Sequence, residues 1–368
     1  MRSAPVQTVG KRILICFDNN KPAAQNIRFK SGYKKREKEP HMEFRKIPKT
    51  DLSLSAIAFG SFASGGWAPS EIKAAREAIR ASYQMGITTF DTAPIYGLGE
   101  TEKIIGEALK PFPRDKVQIL TKFGLRWIYQ KGIYFRSFIN YDGKKVDIYR
   151  YASKESVIEE CENSLRRLNM DYIDLYQLHW PDETTPMEET FEGIQRLVEQ
   201  GKVRYVGVSN LTPEQLDKVE KTFPVVSIQM PYNMLDRKIE EDIIPYCIDH
   251  ETALIAYRPL GAGLLTGKMS PDVVFDQHDT RRGNPKFTPE NIKIANKFVD
   301  SLRPIAQANK VSIPQLILSW TLNRPGVTCV LTGAMNSAQA IENAKAANIK
   351  LSKKDTNAVN TALLESGF

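Results

Sequence analysis

Cysteine is scarce: four occur in 368 residues, Cys16, Cys161, Cys247 and Cys329, far apart and without a C-x-x-C pair. That excludes a disulfide framework and a Cys-rich zinc site, and it fits reduced thiols in a cytoplasmic protein. Histidine is equally sparse, with four residues and no H-E-x-x-H, so no metal site is expected. No run of 18 apolar residues exists, so neither a spanning helix nor a membrane partner is expected. No internal repeat of clear period is visible. The formal net charge is +8, but residues 1–41 hold 10 basic and 3 acidic side chains and account for +7 of it. The other 327 residues carry only +1 and lack the positive field needed to neutralise nucleic-acid phosphates.

The basic segment 1–41 has one short apolar stretch, 13–17, too short for a secretory core. Lys34, Lys35, Arg36 and Lys38 form a cluster. A transit peptide, a nucleic-acid or lipid arm, and sequence outside the functional protein are competing readings. Few serines, and Glu37 and Glu39, weigh against the first. Met42 reads as a natural start leading into a first strand. Residues 1–41 are therefore expected to be an upstream start or a disordered extension, and 42–368 the functional body.

What the body does contain is regular alternation. Apolar runs at 56–60, 88–91, 118–122, 172–178, 205–208, 226–229, 253–257 and 328–331 are expected strands. Helical patterns at 70–86, 101–110, 154–168, 188–200, 213–221, 239–250, 290–309 and 337–347 separate and follow them. Thr212-Pro213-Glu214 and Thr288-Pro289-Glu290 are helix-start signals. The strands mostly lack strict alternation, as strands buried on both faces do. Eight such units predict the α/β class: a (β/α)8 TIM barrel with its site on the C-terminal face. A doubly wound open sheet is the alternative. Two long connections, 124–152 and 259–289, would lie on that face. The first is rich in aromatics, including Trp127, Tyr129, Tyr134, Phe135 and Tyr141. The chain ends soon after the last helical pattern, so no long C-terminal loop is expected to shape a pocket.

Polar groups gather at expected strand ends: Asp91, with Tyr96 five residues on, then Lys122, then His179. Each alone is compatible with a structural role, and a histidine after an apolar run with a satisfied core position. Together on three consecutive strands they can pair across the rim. Lys122 would favour the phenolate of Tyr96 and lower its pKa, with Asp91 holding the lysine. A tuned tyrosine can protonate a carbonyl oxygen, and a neutral histidine can orient that oxygen.

Further motifs run in order along the body: Gly86-Ile87-Thr88-Thr89-Phe90-Asp91-Thr92-Ala93 with Tyr96-Gly97, then Leu165-Arg166-Arg167-Leu168, Asp171-Tyr172-Ile173-Asp174-Leu175 and Leu178-His179. Val206-Gly207-Val208-Ser209-Asn210, Gln229-Met230-Pro231-Tyr232-Asn233 and Gly333-Ala334 follow. In this order they resemble the aldo-keto reductases over essentially all of 42–350, including the bacterial stress and channel-β-like branch. The resemblance implies a (β/α)8 barrel and a nicotinamide cofactor, NADP(H) first and NAD(H) second. It implies hydride transfer between nicotinamide C4 and an aldehyde, ketone, sugar or alcohol. Tyr96 would be the proton donor, Lys122 and Asp91 its tuning partners, and His179 the carbonyl-orienting residue. Ser209, Asn210 and Gln229 match the carboxamide positions and Tyr257 the stacking ring. Gly261, Gly263 and Lys268 lie in the pyrophosphate-loop region, Gly333, Gln339, Glu342 and Asn343 match the adenosine end, and Arg258, Pro259 and Leu260 are expected among the cofactor-binding residues. The alternative it leaves open is a cofactor-binding regulatory module with little turnover, and Schiff-base chemistry at Lys122 is a third reading.

Met335 departs from the family pattern, standing where many relatives have Arg or Lys beside the 2′-phosphate; Arg281 and Arg282 are the residues that might compensate. Arg258, where Ser is more common, is open to a phosphate role or to simple solvation. A helix start near Asn336 suits phosphate whatever the family. Trp67, Trp127 and Trp180 are the expected substrate walls, for a small carbonyl or sugar molecule. Gly97-x-Gly99 lacks its third glycine because residue 102 is Glu, and neither Tyr141…Lys145 nor Gly263…Lys268 completes a cofactor motif.

Overall fold

The computed structural model describes residues 42–64, 69–140, 142–276 and 279–367. The expectation for 1–41 therefore lies outside the described residues, as do Trp67 and Tyr141. Thirteen strands are described: β1 (Phe44–Lys46), β2 (Ser53–Ser55), β3 (Ile57–Gly60), β4 (Thr89–Asp91), β5 (Gln118–Phe123), β6 (Leu125–Arg126), β7 (Ile133–Ile139), β8 (Lys145–Arg150), β9 (Ile173–Leu178), β10 (Val203–Ser209), β11 (Ser227–Pro231), β12 (Ala253–Tyr257) and β13 (Val327–Thr332). The helices are α1 (Pro69–Gln84), α2 (Glu100–Leu109), α3 (Lys154–Leu168), α4 (Met187–Glu199), α5 (Pro213–Thr222), α6 (Ile243–Asp249), α7 (Pro289–Ala308), α8 (Ile313–Leu322), α9 (Ser337–Lys345) and α10 (Lys353–Glu365). No described helix is long and apolar enough to cross a membrane.

Strands β3, β4, β5, β9, β10, β11, β12 and β13 close a parallel barrel in that order, and β13 pairs back onto β3. The eight expected strands are these eight, within two residues at each end. Each is buried on both faces, which is why its sequence shows little alternation although its side chains alternate in space. Ile119 of β5 and Ile228 of β11 pack in the large outer core with the helices. Leu120, Leu175, Ala253, Ile255, Cys329 and Leu331 form a separate interior cluster. The antiparallel hairpin β1–β2 contributes Ile47, Leu52 and Leu54 to that cluster, closing one end of the barrel interior.

Three features depart from expectation. Helix α8 was not foreseen because nine of its ten residues are buried, leaving almost no polar face to mark a period. It opens with a capping box between Ser312 and Gln315 and has a proline in its first turn. The chain also continues into α10, tied down by the Trp320 indole N–H donating to Asn360 Oδ1 (2.9 Å). The final connection is thus a packed helix and not a short tail. The aromatic insertion is itself an antiparallel sheet in the order β6–β8–β7.

Candidate active site

Side chains two residues apart on a strand share a face, and this rule builds the site. Above the interior leucines Leu120 and Leu175 the same rows continue to Lys122 and Gln177, which are register partners on β5 and β9. Asp91 ends β4, and Gln229 comes from β11. Lys122 Nζ donates to Asp91 Oδ1 (2.6 Å) and to the Thr92 carbonyl (2.9 Å). Asp91 Oδ2 accepts from Gln229 Nε2 (2.9 Å) and Gln177 Nε2 (3.2 Å). Lys122, Asp91, Gln177 and Gln229 are all buried, and a buried ion pair of this kind persists only when its remaining lone pairs are met. Gly207, the β10 register partner of Gln177, makes room: a Cβ there would stand 2.4 Å from Ser227 Oγ and 3.3 Å from Gln177 Cγ. Gln177 was given no role from sequence; the row shared with His179 was the available signal.

Tyr96 sits beyond β4 on a turn whose next three residues, Gly97, Leu98 and Gly99, are all left-handed. The Lys122 ammonium is 5.2 Å from its ring centroid, the His179 ring 5.8 Å and the Phe62 ring 5.1 Å. The turn leads into α2, where buried Glu102 accepts from Arg167 Nε (2.6 Å) and Thr121 Oγ1 (2.7 Å). Glu102 thus anchors the helix that follows Tyr96, which is the structural use of the acid that breaks the glycine motif.

Electrostatics give Lys122, Tyr96 and His179 distinct states. Burial works to lower Lys122, but Asp91 and Tyr96 outweigh it and hold the ammonium above its ordinary value. Burial raises Tyr96, and although Lys122 pulls it down, the net is upward. The expected lowering by lysine is present but is not the net result, because the ring is desolvated. His179 is driven well below its ordinary value by burial, Lys122 and Arg136, so its imidazole is neutral at pH 7.

A second polar cluster adjoins the first. Ser209 Oγ donates to the Gln229 carbonyl (2.8 Å). Asn210, itself left-handed, donates to Ser209 Oγ (2.9 Å) and the His179 carbonyl (3.0 Å). Its Oδ1 accepts from the Tyr257 hydroxyl (2.9 Å), and burial pushes that phenol up to about 12. Beyond Tyr257 the chain passes Arg258, Pro259 and Leu260 into a turn over Gly261–Thr266, in which Gly261, Ala262 and Gly263 are all left-handed. Lys268 is exposed just after it. Arg281 is engaged by Asp279 (2.6 Å) and donates to the Ala262 carbonyl (3.3 Å). Arg281 is thus held by Asp279 and by this turn, not beside Met335. At α9, Asn336 caps the helix through Gln339 N, Gln339 accepts from Met335 N (2.8 Å), and Asn343 donates to the Gly333 carbonyl (3.0 Å). Glu342 gives its carbonyl to Gln315 (3.0 Å), and the Met335 side chain is exposed.

The insertion packs on the site. Trp127, Phe135, Phe138 and Trp180 share a cluster with Tyr96 around buried Ile95, Leu125 and Ile148. Its entry is held by buried Glu160, which accepts from Gly124 N (3.0 Å), and its exit by Asp182, which accepts from Ala152 N (2.9 Å). Phe62 and Arg136 are site neighbours that sequence reasoning did not single out. Neither lies at a strand end, so no positional signal marked them.

The chain is similar to known proteins over most of its length. The model of the aldo/keto reductase family matches residues 56–363. Aldo-keto reductase YhdN of Bacillus subtilis (strain 168) is 37% identical over 88% of this chain and 94% of its own. The NADH-specific methylglyoxal reductase of Escherichia coli (strain K12) is 34% identical, over 84% and 96% respectively. The glycerol dehydrogenase AKR11B4 from Gluconobacter oxydans superposes with a TM-score of 0.78 at 34% identity, covering 88% of this chain and 95% of that one. An aldo/keto reductase from Klebsiella pneumoniae in complex with NADP and acetate superposes with a TM-score of 0.64 at 28% identity, over 84% and 91%.

Proposed function

This chain belongs to the aldo/keto reductase family, and we propose that it reduces an aldehyde or ketone at the expense of NADPH or NADH, with Tyr96 as the proton donor. The observation that carries the proposal is the buried Asp91–Lys122 pair placed beside Tyr96 and a neutral His179. The donor set suits a nicotinamide. Ser209, Asn210 and Gln229 offer a hydroxyl and two primary amides for a carboxamide, and Tyr257 offers a ring. The left-handed turn from Gly261 to Gly263, with Arg258, Lys268 and Arg281 near it, suits a pyrophosphate, and the start of α9 suits the adenosine end. When bound, the nicotinamide supplies the hydride.

The chain's own groups do the rest. Tyr96, kept protonated by burial, donates to the carbonyl oxygen. As that proton leaves, the phenolate forms beside the Lys122 ammonium, which Asp91 holds in place and charged. His179, being neutral, donates a ring N–H to the same oxygen without adding a competing charge. Trp127 and Trp180 wall the pocket. Met335 brings no cation to the adenosine end, which favours acceptance of NADH beside NADPH; the NADH-specific relative is in keeping with this.

The test follows loss of reduced-cofactor absorbance with NADPH and NADH in turn against a panel of aldehydes and ketones. Turnover of at least one carbonyl is expected. Tight binding of both nucleotides without turnover of any carbonyl would sink the enzymatic proposal and leave a binding module.

A further inference from the structure

Two guanidinium groups flank Tyr96, and neither has an acidic partner among the described residues. Arg258 follows β12, and its Cζ lies 5.9 Å from the ring centroids of Phe62 and Tyr257. Arg136 lies on β7 of the insertion, with its Cζ 5.7 Å from the Phe135 ring. A chain of ring contacts joins them: Phe62 to Tyr96 (5.1 Å), Tyr96 to His179 (5.8 Å), and, from the residue after His179, Trp180 to Phe135 (5.3 Å). The register of β7 against β8 slips between Tyr134 and Arg136, so Phe135 is the extra residue of a bulge. Bulges re-aim side chains, and they cluster beside active sites. Here the slip pairs Arg136 with Ile148, which is buried in the cluster that packs on Tyr96.

Arg136 remains open to solvent, as a residue that meets an incoming ligand must. Partial desolvation and then Arg258 hold its guanidinium below the ordinary value, Tyr96 opposes them, and Arg136 in turn disfavours charge on His179. Asp147, next to the register partner of Arg136 on β8, is taken by Lys145 (2.9 Å), and Glu159 and Glu160 at the root of the insertion are taken by Arg126 (3.0 and 3.5 Å). Two like charges beside a desolvated site are costly unless an anion joins them. Arg258 begins the segment suited to the cofactor pyrophosphate and gains a partner there. Arg136, on the insertion, lies outside that segment.

We propose that Arg136 is a specificity-determining residue that binds an anionic group of the substrate, a carboxylate or a phosphate, while the substrate's carbonyl oxygen lies between Tyr96 and His179. This deepens the reductase proposal and rests on it. Bidentate recognition of such anions is what a guanidinium does best. The preferred substrates are then carbonyl compounds carrying a negative charge, and the aromatic wall accommodates the carbon chain between the two ends.

The experiment uses two matched pairs: succinic semialdehyde against butanal, and glyceraldehyde 3-phosphate against glyceraldehyde. Each is assayed with the full chain and either reduced nucleotide. The charged member of at least one pair is expected to have the higher kcat/KM by about tenfold or more, chiefly through KM, with the advantage shrinking as salt rises. The pair that shows it identifies the anion. In Arg136→Gln that ratio is expected to collapse by about tenfold, in Arg136→Lys to fall less, and in Arg136→Glu to invert. Equal kcat/KM within both pairs, or a ratio that survives in Arg136→Gln and Arg136→Glu, would overturn the anion assignment and leave the reductase proposal standing. Absence of turnover with all four compounds, while another carbonyl of the panel is reduced, would overturn the anion assignment alone; absence with the whole panel would overturn both.

Discussion

At the scale of the residue, the site is an arrangement of protonation states. Tyr96 lies above its ordinary value of 10.0 because burial outweighs Lys122. Reduction uses the protonated phenol, so kcat for reduction is expected to hold through neutral pH and to fall only as pH rises beyond about 10. Tyr96→Phe is expected to lower kcat by roughly a hundredfold to ten-thousandfold while sparing nucleotide affinity, and to abolish the alkaline fall. A kcat profile that already fell between pH 7 and 8, or a Tyr96→Phe enzyme at full rate, would remove Tyr96 from the donor role. Much of this constellation was legible from sequence, since Asp91, Lys122 and His179 stand at strand ends and interior rows have period two. What escaped was Gln177, which sits on the same interior row, and Arg136. The first needed the row to be extended backwards from His179. The second is aimed by a bulge, and a bulge leaves no mark in a hydrophobic pattern.

At the scale of the element, strands were legible and two helices were not. The eight barrel strands announce themselves as short apolar runs between capped helices. Helix α8 hides because it is apolar all round, and the β6–β8–β7 sheet hides because its aromatics serve both its own packing and the pocket. The root of that sheet carries a titratable clamp. Glu160 holds Gly124 N and faces Arg126, yet burial raises its carboxyl from 4.5 to about 7. A carboxyl raised on folding binds its proton more tightly in the folded state. Its contribution therefore favours folding below pH 4.5, declines as pH rises through 4.5 to about 7, and stays unfavourable above. The full decline corresponds to roughly 3 kcal/mol. Glu160→Gln keeps an acceptor for Gly124 and removes the titration. Its urea-unfolding free energy is expected to vary less between pH 5 and pH 8 than that of the natural chain. Parallel pH dependences for the two proteins would show that Glu160 is not perturbed.

At the scale of the whole molecule, the described residues stack an apolar barrel floor under a buried polar layer, and the excess positive charge of the sequence falls in residues 1–41, outside the described residues. The floor of Leu120, Leu175, Ile255 and their neighbours, plugged by β1–β2, holds the barrel closed. The polar layer of Asp91, Lys122, Gln177 and Gln229 is joined by its own hydrogen bonds. A dinucleotide that binds only the folded state adds stability: at 100 times its Kd, about 2.7 kcal/mol, or about 4 °C in Tm for a body of this size. Residues 1–41 carry a +7 charge, while the barrel strands, the hairpin and every candidate site residue but Trp67 lie within the described part of 42–367. The cofactor is anionic, so the two accounts of that segment differ in salt dependence. If it stands apart from the barrel, deleting 1–41 leaves the Tm, the nucleotide-induced rise and the slope of log Kd against log salt unchanged. If its charges steer or hold the dinucleotide, deletion weakens binding at low salt, and the difference closes as the Debye length falls from about 30 Å at 0.01 M toward 3 Å at 1 M. The first outcome is expected, because Lys268, Arg281 and Arg258 already gather around the Gly261–Thr266 turn, where a local charge is worth more than a diffuse one.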